Sequence, residues 1–258
     1  MHSLKPLLAG LGLLSFLGTA SIADQVVAQP SVAARTYAVG PFDKVAAAGS
    51  NLVVVHVGGV PSVRAEGSAD TLDRMEVVVE HDELQIRPRR EFRDNYNWNR
   101  MRRATFTVTA PRLAAASLAG AGTMRVDRAI GDRFAASVAG SGNLDLAAMR
   151  VGSVNLSMAG SGNLSARGTA GRAVVSVAGS GNIHTRGVTA RTASVSITGS
   201  GTAELTALDA AHVSIVGSGD AQIAGRAHCI VSRIGSGAAP LQRLSGVCEP
   251  ASGSDEGD

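Results

Sequence analysis

One stretch of the chain concentrates the residue types that bind anions and sugars. Residues 87–103, RPRREFRDNYNWNRMRR, combine arginines with aromatic side chains, including the only tryptophan. Guanidinium groups form bidentate hydrogen bonds with acidic ligands, and aromatic rings add stacking. The candidate binding residues are Arg87, Arg89, Arg90, Arg93, Trp98, Arg100, Arg102 and Arg103. We predict that they bind an anionic glycan or lipopolysaccharide; the alternative is a solvated hairpin tip whose aromatic rings cover the end of a core.

Residue groups that could perform catalysis are not apparent in the rest of the sequence. Acid–base hydrolysis of a polysaccharide needs two carboxyl groups roughly 5–9.5 Å apart. The acidic residues of the repeat region share no column on adjacent repeats: Asp127, Asp132, Asp145, Glu204, Asp209 and Asp220. The histidines lack metal-ligand spacing, and the repeated serines have no His/Asp partners. We therefore predict a protein that is not an enzyme and holds no metal or cofactor, with a polysaccharide-acting β-helix enzyme as the alternative.

An internal repeat organises residues 111–248 and must position any site on them. Gly-Ser-Gly or Gly-Ala-Gly triplets begin at Gly120, Gly140, Gly160, Gly179, Gly199, Gly217 and Gly235, and a serine stands three residues before each one. Between the glycines, apolar and polar residues alternate with the period of a strand. A rung of this kind buries its apolar side only by stacking on its neighbours. The sequence therefore predicts an all-β fold, a parallel β-solenoid with rungs of about 18–20 residues.

Stacking turns equivalent positions of the repeat into columns. The third position after each triplet's first glycine is polar in the first six repeats, and we expect its asparagines, Asn143, Asn163 and Asn182, to hydrogen-bond along the stack. Two positions later, Arg125 should face Asp145, and His184 should face Glu204. The serines before the triplets should point outward and form a flat hydroxyl-bearing face.

Residues 39–110 carry the same pattern less regularly. Residues 42–59 contain a faint copy of the repeat at Gly49-Ser50-Asn51-Leu52, and residues 75–88 look like two strands around a turn at His81-Asp82. We interpret this N-terminal β segment as the opening rungs of the solenoid or as a layer that caps it. Residues 87–103 separate two strands and should project as a long loop.

The first residues have the composition of a secretory signal. Lys5 precedes the apolar residues 7–17, and small residues precede a cleavage site after Ala23. Residues 24–38 are then a linker or a first strand, and the acidic residues 249–258 are expected to be disordered. We predict a periplasmic or extracellular protein without a transmembrane span in its mature chain. The formal net charge of +3 is too small to indicate a nucleic-acid partner.

A family resemblance follows from these features together. A secretory signal, then FDKV leading to GSNLVVV, a strand pair ending LQI, and serial SVxGSGNL rungs resemble the GIN-domain family, described as head domains of autotransporter adhesins. The resemblance covers roughly residues 39–245. It implies a right-handed β-helix-like fold in the cell envelope and supplies no catalytic residues.

The sequence thus favours a secreted, non-catalytic binding or adhesion module of the cell envelope. Its partner would be an anionic glycan, lipopolysaccharide or an envelope protein. Besides the enzyme alternative, a structural protein that self-associates through its flat Ser/Ala face remains open.

The only two cysteines, Cys229 and Cys248, are predicted to form a disulfide bond. They lie one repeat apart, and stacked strands about 4.8 Å apart fit the Cα separations of roughly 4.4–6.8 Å that a disulfide accepts. Export would place them in an oxidising compartment. The bond should stabilise the last rung by about 3 kcal/mol. Thiol titration of the denatured, unreduced protein is expected to find no free thiol, and two thiols per chain would contradict the bond.

Overall fold

The structure, a computed structural model, describes residues 32–92 and 103–236, and these residues are almost entirely β-strand. Successive turns of the chain lie side by side as parallel strands, which confirms the predicted β-solenoid. Its strands are β8 (Ala115–Gly120), β9 (Thr123–Val126), β10 (Ala129–Gly140), β11 (Asn143–Gly160), β12 (Asn163–Gly179), β13 (Asn182–Gly199), β14 (Thr202–Gly217), β15 (Asp220–Gly225) and β16 (His228–Ile234).

Equivalent residues of the repeat pair with each other from rung to rung. The inward residue before the glycine corner is Val138 in β10, Met158 in β11, Val177 in β12 and Ile197 in β13, and these four pair in sequence and are buried. Because each of these rungs contributes an apolar residue at this position, the core is a continuous column rather than a set of separate clusters.

The long strands bend twice between glycine corners. In β11 the alternation of buried and exposed residues changes phase at residues 147–148 and again at residues 152–153. Each rung therefore has three faces, which we name by β11: the asparagine face (residues 143–146), the short face (residues 149–151) and the serine face (residues 154–160). Side chains that point outward on different faces do not meet.

Glycine at the corner allows close approach of the rungs. Gly140 has a φ of +113°, and a Cβ there would stand 2.7 Å from the carbonyl oxygen of Gly120. The next corner repeats the arrangement, since the Ser161 N–H donates to Gly140 O at 2.9 Å. A larger residue would force the backbones apart at the point where they hydrogen-bond.

The asparagine face confirms the predicted polar column. Asn163 Nδ2 donates to Asn143 Oδ1 at 3.0 Å, and Asn182 Nδ2 donates to Asn163 Oδ1 at 3.2 Å. On the same face His184 Nδ1 lies 3.6 Å from Glu204 Oε2, and Arg125 pairs in register with Asp145. Opposite charges thus stand side by side on this face, as the column pattern indicates.

The N-terminal segment contains strands, one helix and one short turn. They are β1 (Val32–Tyr37), β2 (Lys44–Gly49), β3 (Leu52–Val57), β4 (Ser62–Ser68), α1 (Ala69–Asp73), β5 (Met75–Glu80), β6 (Glu83–Pro88), a 3₁₀ turn (Arg90–Phe92) and β7 (Thr105–Ala110). β2 and β3 pair in parallel with β8 and β9, and β6 and β7 pair in parallel with β2 and β3. This segment therefore adds two rungs. β2 and β3 form the rung beside the repeats, and β6 and β7, which come later in the chain, form the rung further from the repeats.

Antiparallel strands cover the outer edge of the last of these rungs. β5 pairs with β6, β4 pairs with β7, and β1 pairs with β4, all antiparallel. The β5–β6 turn is at His81 and Asp82, as predicted, and both residues have positive φ, which matches the twist of a tight hairpin. The segment is thus both a pair of opening rungs and a cap. Within the described parts of the chain, no helix is long and apolar enough to cross a membrane.

The inward and outward assignment gives a direct stability test. Val177 is 2% exposed in the core column, whereas its neighbour Ser176 is exposed on the serine face. Val177→Asp should lower the free energy of unfolding by about 4 kcal/mol or more, because it buries an unpaired charge. Ser176→Asp should change it by no more than about 0.5 kcal/mol. Denaturant unfolding measures both.

A milder variant covers the case in which Val177→Asp does not fold. Val177→Thr keeps the side-chain shape and buries only a hydroxyl group, which should cost about 1–3 kcal/mol. Similar losses in Val177→Thr and Ser176→Thr would show that the assignment of the two faces is wrong.

Candidate functional site

The structure describes part of the predicted binding segment. Arg87 lies at the end of β6, Arg89 and Arg90 follow it, and Arg103 precedes β7. Four predicted residues lie outside the described residues: Arg93, Trp98, Arg100 and Arg102. Cys229 lies inward in β16 and pairs in register with Ala211, whereas Cys248 is outside the described residues, so their disulfide stays a prediction.

The segment connects two strands of the outermost parallel rung. β6 and β7 stack on β2 and β3, so residues 89–104 connect strands whose neighbours in the next rung are connected by only two residues, Ser50 and Asn51. The arginine-rich segment is therefore an expanded form of the glycine corner, placed in the outermost parallel rung.

Side chains of β5, β6 and the 3₁₀ turn form a concavity of about 480 Å³ beside this corner. Its lining residues are Glu76, Arg87, Arg89, Arg90 and Glu91. β5 and β6 are antiparallel with Glu76 directly opposite Arg87, and Arg87 Nε donates to Glu76 Oε2 at 2.9 Å. The positive charge of the site is thus balanced in part by glutamates that the cap supplies.

Arg87 makes more hydrogen bonds and ion pairs within the protein than the sequence indicates. Its Nη2 lies 3.4 Å from Glu80 Oε1, and its Nη1 donates to Gln85 Oε1. The hydrogen bond to Glu76 raises the pKa of the guanidinium above its ordinary value. Arg87 therefore joins β5 to β6 and fixes the two carboxylates as ion-pair acceptors.

Arg89 and Arg90 are the exposed cations of the concavity. The Arg89 backbone N–H donates to Arg74 O at 2.9 Å, and its Nε donates to Met75 O at 3.4 Å. These bonds hold the chain against the cap just where the segment leaves β6. Arg89 and Arg90 can meet an acidic ligand without first breaking a described ion pair of their own.

Asn51 holds the other end of the segment. It is 8% exposed, its Oδ1 accepts from the Ala104 N–H at 3.0 Å, and its Nδ2 donates to Met75 Sδ at 3.5 Å. Ala104 is buried and immediately follows exposed Arg103. One side chain at the neighbouring corner thus determines where the segment enters β7.

A second, smaller groove adjoins the first on the serine face. Its lining includes the small side chains of Ala46, Ser117 and Ser137, and its volume is about 300 Å³. Gln85 and Arg87 of β6 form its wall, so Arg87 lines both concavities. Ser137 Oγ donates to Ser117 Oγ at 3.0 Å, which satisfies these hydroxyls within the ladder.

The structure also brings together arginines that the sequence analysis did not consider as a site. One pair flanks the short face on each of three rungs, and all six side chains are exposed. The pairs are Arg128 and Arg133, Arg167 and Arg172, and Arg186 and Arg191. The signal in the sequence is the R-x4-R spacing in RAIGDR, RGTAGR and RGVTAR. Among the residues that the structure describes, no cluster of three or more His, Cys, Asp or Glu is placed to hold a metal ion.

The role of Asn51 can be tested by substitution. Asn51→Ala leaves the buried Ala104 N–H without its acceptor, which should lower the free energy of unfolding by about 1–3 kcal/mol. The matched control is Asn155→Ala, at an exposed asparagine in the middle of β11, with an expected change within about 0.5 kcal/mol. Equal effects of the two substitutions in chemical denaturation would rule out the positioning role.

Solved bacterial proteins share this architecture. A putative adhesin from Bacteroides fragilis superimposes with a TM-score of 0.74 at 21% identity, covering 81% of this chain and 96% of its own. A putative lipid binding protein from Parabacteroides distasonis gives 0.67 at 22% identity, covering 82% and 97%. A putative adhesin from Parabacteroides merdae gives 0.63 at 15%, covering 82% and 96%. At these identities the similarity shows the fold, and no curated protein matches the chain.

The sequence itself assigns the family. The family model described as "Putative auto-transporter adhesin, head GIN domain" matches residues 41–227, which run from the residue before Phe42 to the loop after β15. The match includes the glycine corners, the arginine-rich corner segment and the cap strands β4 and β5. The chain belongs to the GIN-domain family of auto-transporter adhesin heads.

Proposed function

We propose that this protein is a secreted, non-catalytic binding module of the cell envelope, and that residues 87–103 bind an anionic glycan such as lipopolysaccharide. The observation that carries the proposal is the expanded corner between β6 and β7. At the other described glycine corners two residues connect the strands, whereas here residues 89–104 do so. A long loop on a rigid repeat scaffold is a common arrangement for a binding site.

The charges around the corner suit a ligand with separated acidic groups. Arg89 and Arg90 present exposed guanidinium groups, but Glu76 and Glu91 line the same concavity. A compact polyanion that filled the concavity would meet both carboxylates. A glycan with acidic groups spaced along its length can place one group against the arginines and its hydroxyls against the glutamates.

Two observations support a location in the cell envelope. Residues 1–23 have the composition of a secretory signal, and the family is described by its adhesin heads. One solved protein with this fold, from Parabacteroides distasonis, is described as a putative lipid binding protein. Lipopolysaccharide unites an acidic glycan with a lipid, so it is the first ligand to test.

The enzyme alternative has less support from the described site. Glu76 and Glu80, which lie beside the arginine-rich corner, both contact Arg87, so one oxygen of each carboxylate is already engaged in an ion pair. Incubation with envelope glycans distinguishes the two functions, because an enzyme would release new reducing ends or unsaturated products and a binding module would not.

The binding proposal predicts a salt-sensitive interaction. The triple variant Arg100→Ser, Arg102→Ser, Arg103→Ser should bind immobilised lipopolysaccharide at least about tenfold more weakly at low ionic strength, since it loses three cationic contacts. The difference should shrink as the Debye length falls to about 8 Å at physiological salt. Surface plasmon resonance measures both.

A charge-matched control separates the site from the net charge of the protein. The variant Arg64→Ser, Arg112→Ser, Arg125→Ser removes the same charge from exposed positions outside the segment, and we expect it to bind nearly as well as the parent. Equal binding by all three proteins would leave residues 87–103 as a structural tip only.

A further inference from the structure

The short face has a low floor. Its outward row consists of Ile130, Arg150, Thr169 and Thr189, which pair in register from β10 to β13. In β12 this face is built from Gly168, Thr169 and Ala170, so small side chains form its surface there. Nothing in this row of β12 and β13 rises far above the backbone.

Two columns of arginine form the borders of this floor. Arg167 pairs with Gly187, the neighbour of Arg186, and Arg172 pairs with Thr192, the neighbour of Arg191. Arg133 of β10 lies two rungs nearer the cap than Arg172. It belongs to the second column, because Arg133 and Arg172 both pair with Ser153 of β11. Long cationic side chains thus flank a strip of threonine and glycine on successive rungs.

Four arginines of these columns and Arg150 of the floor row are not neutralised by a described ion pair. Arg133, Arg150, Arg167, Arg172 and Arg191 are exposed, and none has an ion pair or side-chain hydrogen bond within the residues that the structure describes. Arg186 differs, because it donates to Gln222 at 2.7 Å and lies 3.8 Å from Glu204. The carboxylates at this edge are Asp127, Asp132 and Asp209, of which Asp127 lies 3.6 Å from Arg128.

Like charges on adjacent strands destabilise a sheet. On the asparagine face the protein places opposite charges together, as with His184 and Glu204. At the borders of the short face Arg172 and Arg191 lie on adjacent strands about 4.8 Å apart and one residue out of register, and so do Arg167 and Arg186. An anionic ligand between the columns would offset this repulsion.

We propose that the short face binds a linear acidic polysaccharide that runs along the solenoid axis. A single glycan chain fits on the low floor, where its carboxylates reach the guanidinium groups on both sides and its hydroxyls reach Thr169 and Thr189. The trough, the low part of the floor, runs from β12 to β14, where Thr206 pairs with Thr189, and is about 10 Å long, two steps of about 4.8 Å, with Arg150 of β11 at one end. A flat lipid surface would contact the arginine tips and leave the threonine floor unused. This site lies on another face and on other rungs than residues 87–103, so it does not depend on the function proposed for them.

The test uses oligogalacturonides of increasing length with the full mature chain. Affinity measured by calorimetry at low ionic strength should rise with oligosaccharide length until the oligosaccharide spans the trough, then level off. The variant Arg167→Ser, Arg172→Ser, Arg191→Ser should weaken binding of the long oligosaccharide at least about tenfold, as expected for three exposed contacts of a few-fold each. Thr169→Val with Thr189→Val should weaken it further without any change of charge.

Controls separate this site from the corner segment and from membranes. The Arg64, Arg112 and Arg125 triple variant removes equal charge and should retain the parent's affinity, as should the Arg100, Arg102 and Arg103 triple variant. Loss of oligogalacturonide binding in the corner variant but not in the short-face variant would overturn the proposal. Length-independent binding would also overturn it, and so would short-face substitutions that weaken binding to phosphatidylglycerol vesicles alone.

Discussion

In-register hydrogen bonding between rungs is the constraint on which this structure depends. Each glycine corner brings backbone carbonyl and amide groups of neighbouring rungs to about hydrogen-bond distance, as in the Ser161 N–H to Gly140 O bond of 2.9 Å. Once the corners are aligned, residues of the asparagine and serine faces meet their equivalents in the next rung, and register shifts beside the short face absorb the differences in repeat length. Apolar residues must then recur at inward positions, because one polar residue there has no partner in its own column. Outward positions are free to form ladders of hydroxyls, amides or charges, and the three faces differ in which of these they carry.

Much of the solenoid could be predicted from the sequence because its repeat is close in length to its structural period. The triplet spacing determines the register, so the asparagine column and the His184–Glu204 pair could be predicted without coordinates. The hairpin at His81 and Asp82 could also be predicted, since alternating strands flank a polar pair. The order of the opening rungs could not be predicted from the sequence. β6 and β7 have no glycine triplet between them, and only backbone pairing shows that they continue the stack beyond β2 and β3.

The candidate sites, too, could be predicted only in part from the sequence. The density of arginine in residues 87–103 was visible, but the partners of Arg87 were not, because Glu76 and Glu80 come from an antiparallel strand that belongs to no repeat. The R-x4-R spacings were visible too. Their meaning depends on the two bends that flank the short face, which reverse the alternation and turn residues five apart outward on opposite borders of one strip. Spacing alone, without the bends, would have placed these arginines on unrelated surfaces.

The position of β2 and β3 has a consequence for how the chain is assembled and taken apart. These strands precede β6 to β9 in the sequence but lie between them in space. Rungs from β11 onward pair with the one just completed, so each can be added as it is synthesised. The β2–β3 rung cannot be completed on both sides until residues up to Val126 are available, and such long-range pairing is slow. The same order resists mechanical unravelling: tension on the first residues can detach β1 from the edge, but β2 and β3 remain held between two rungs formed by later chain.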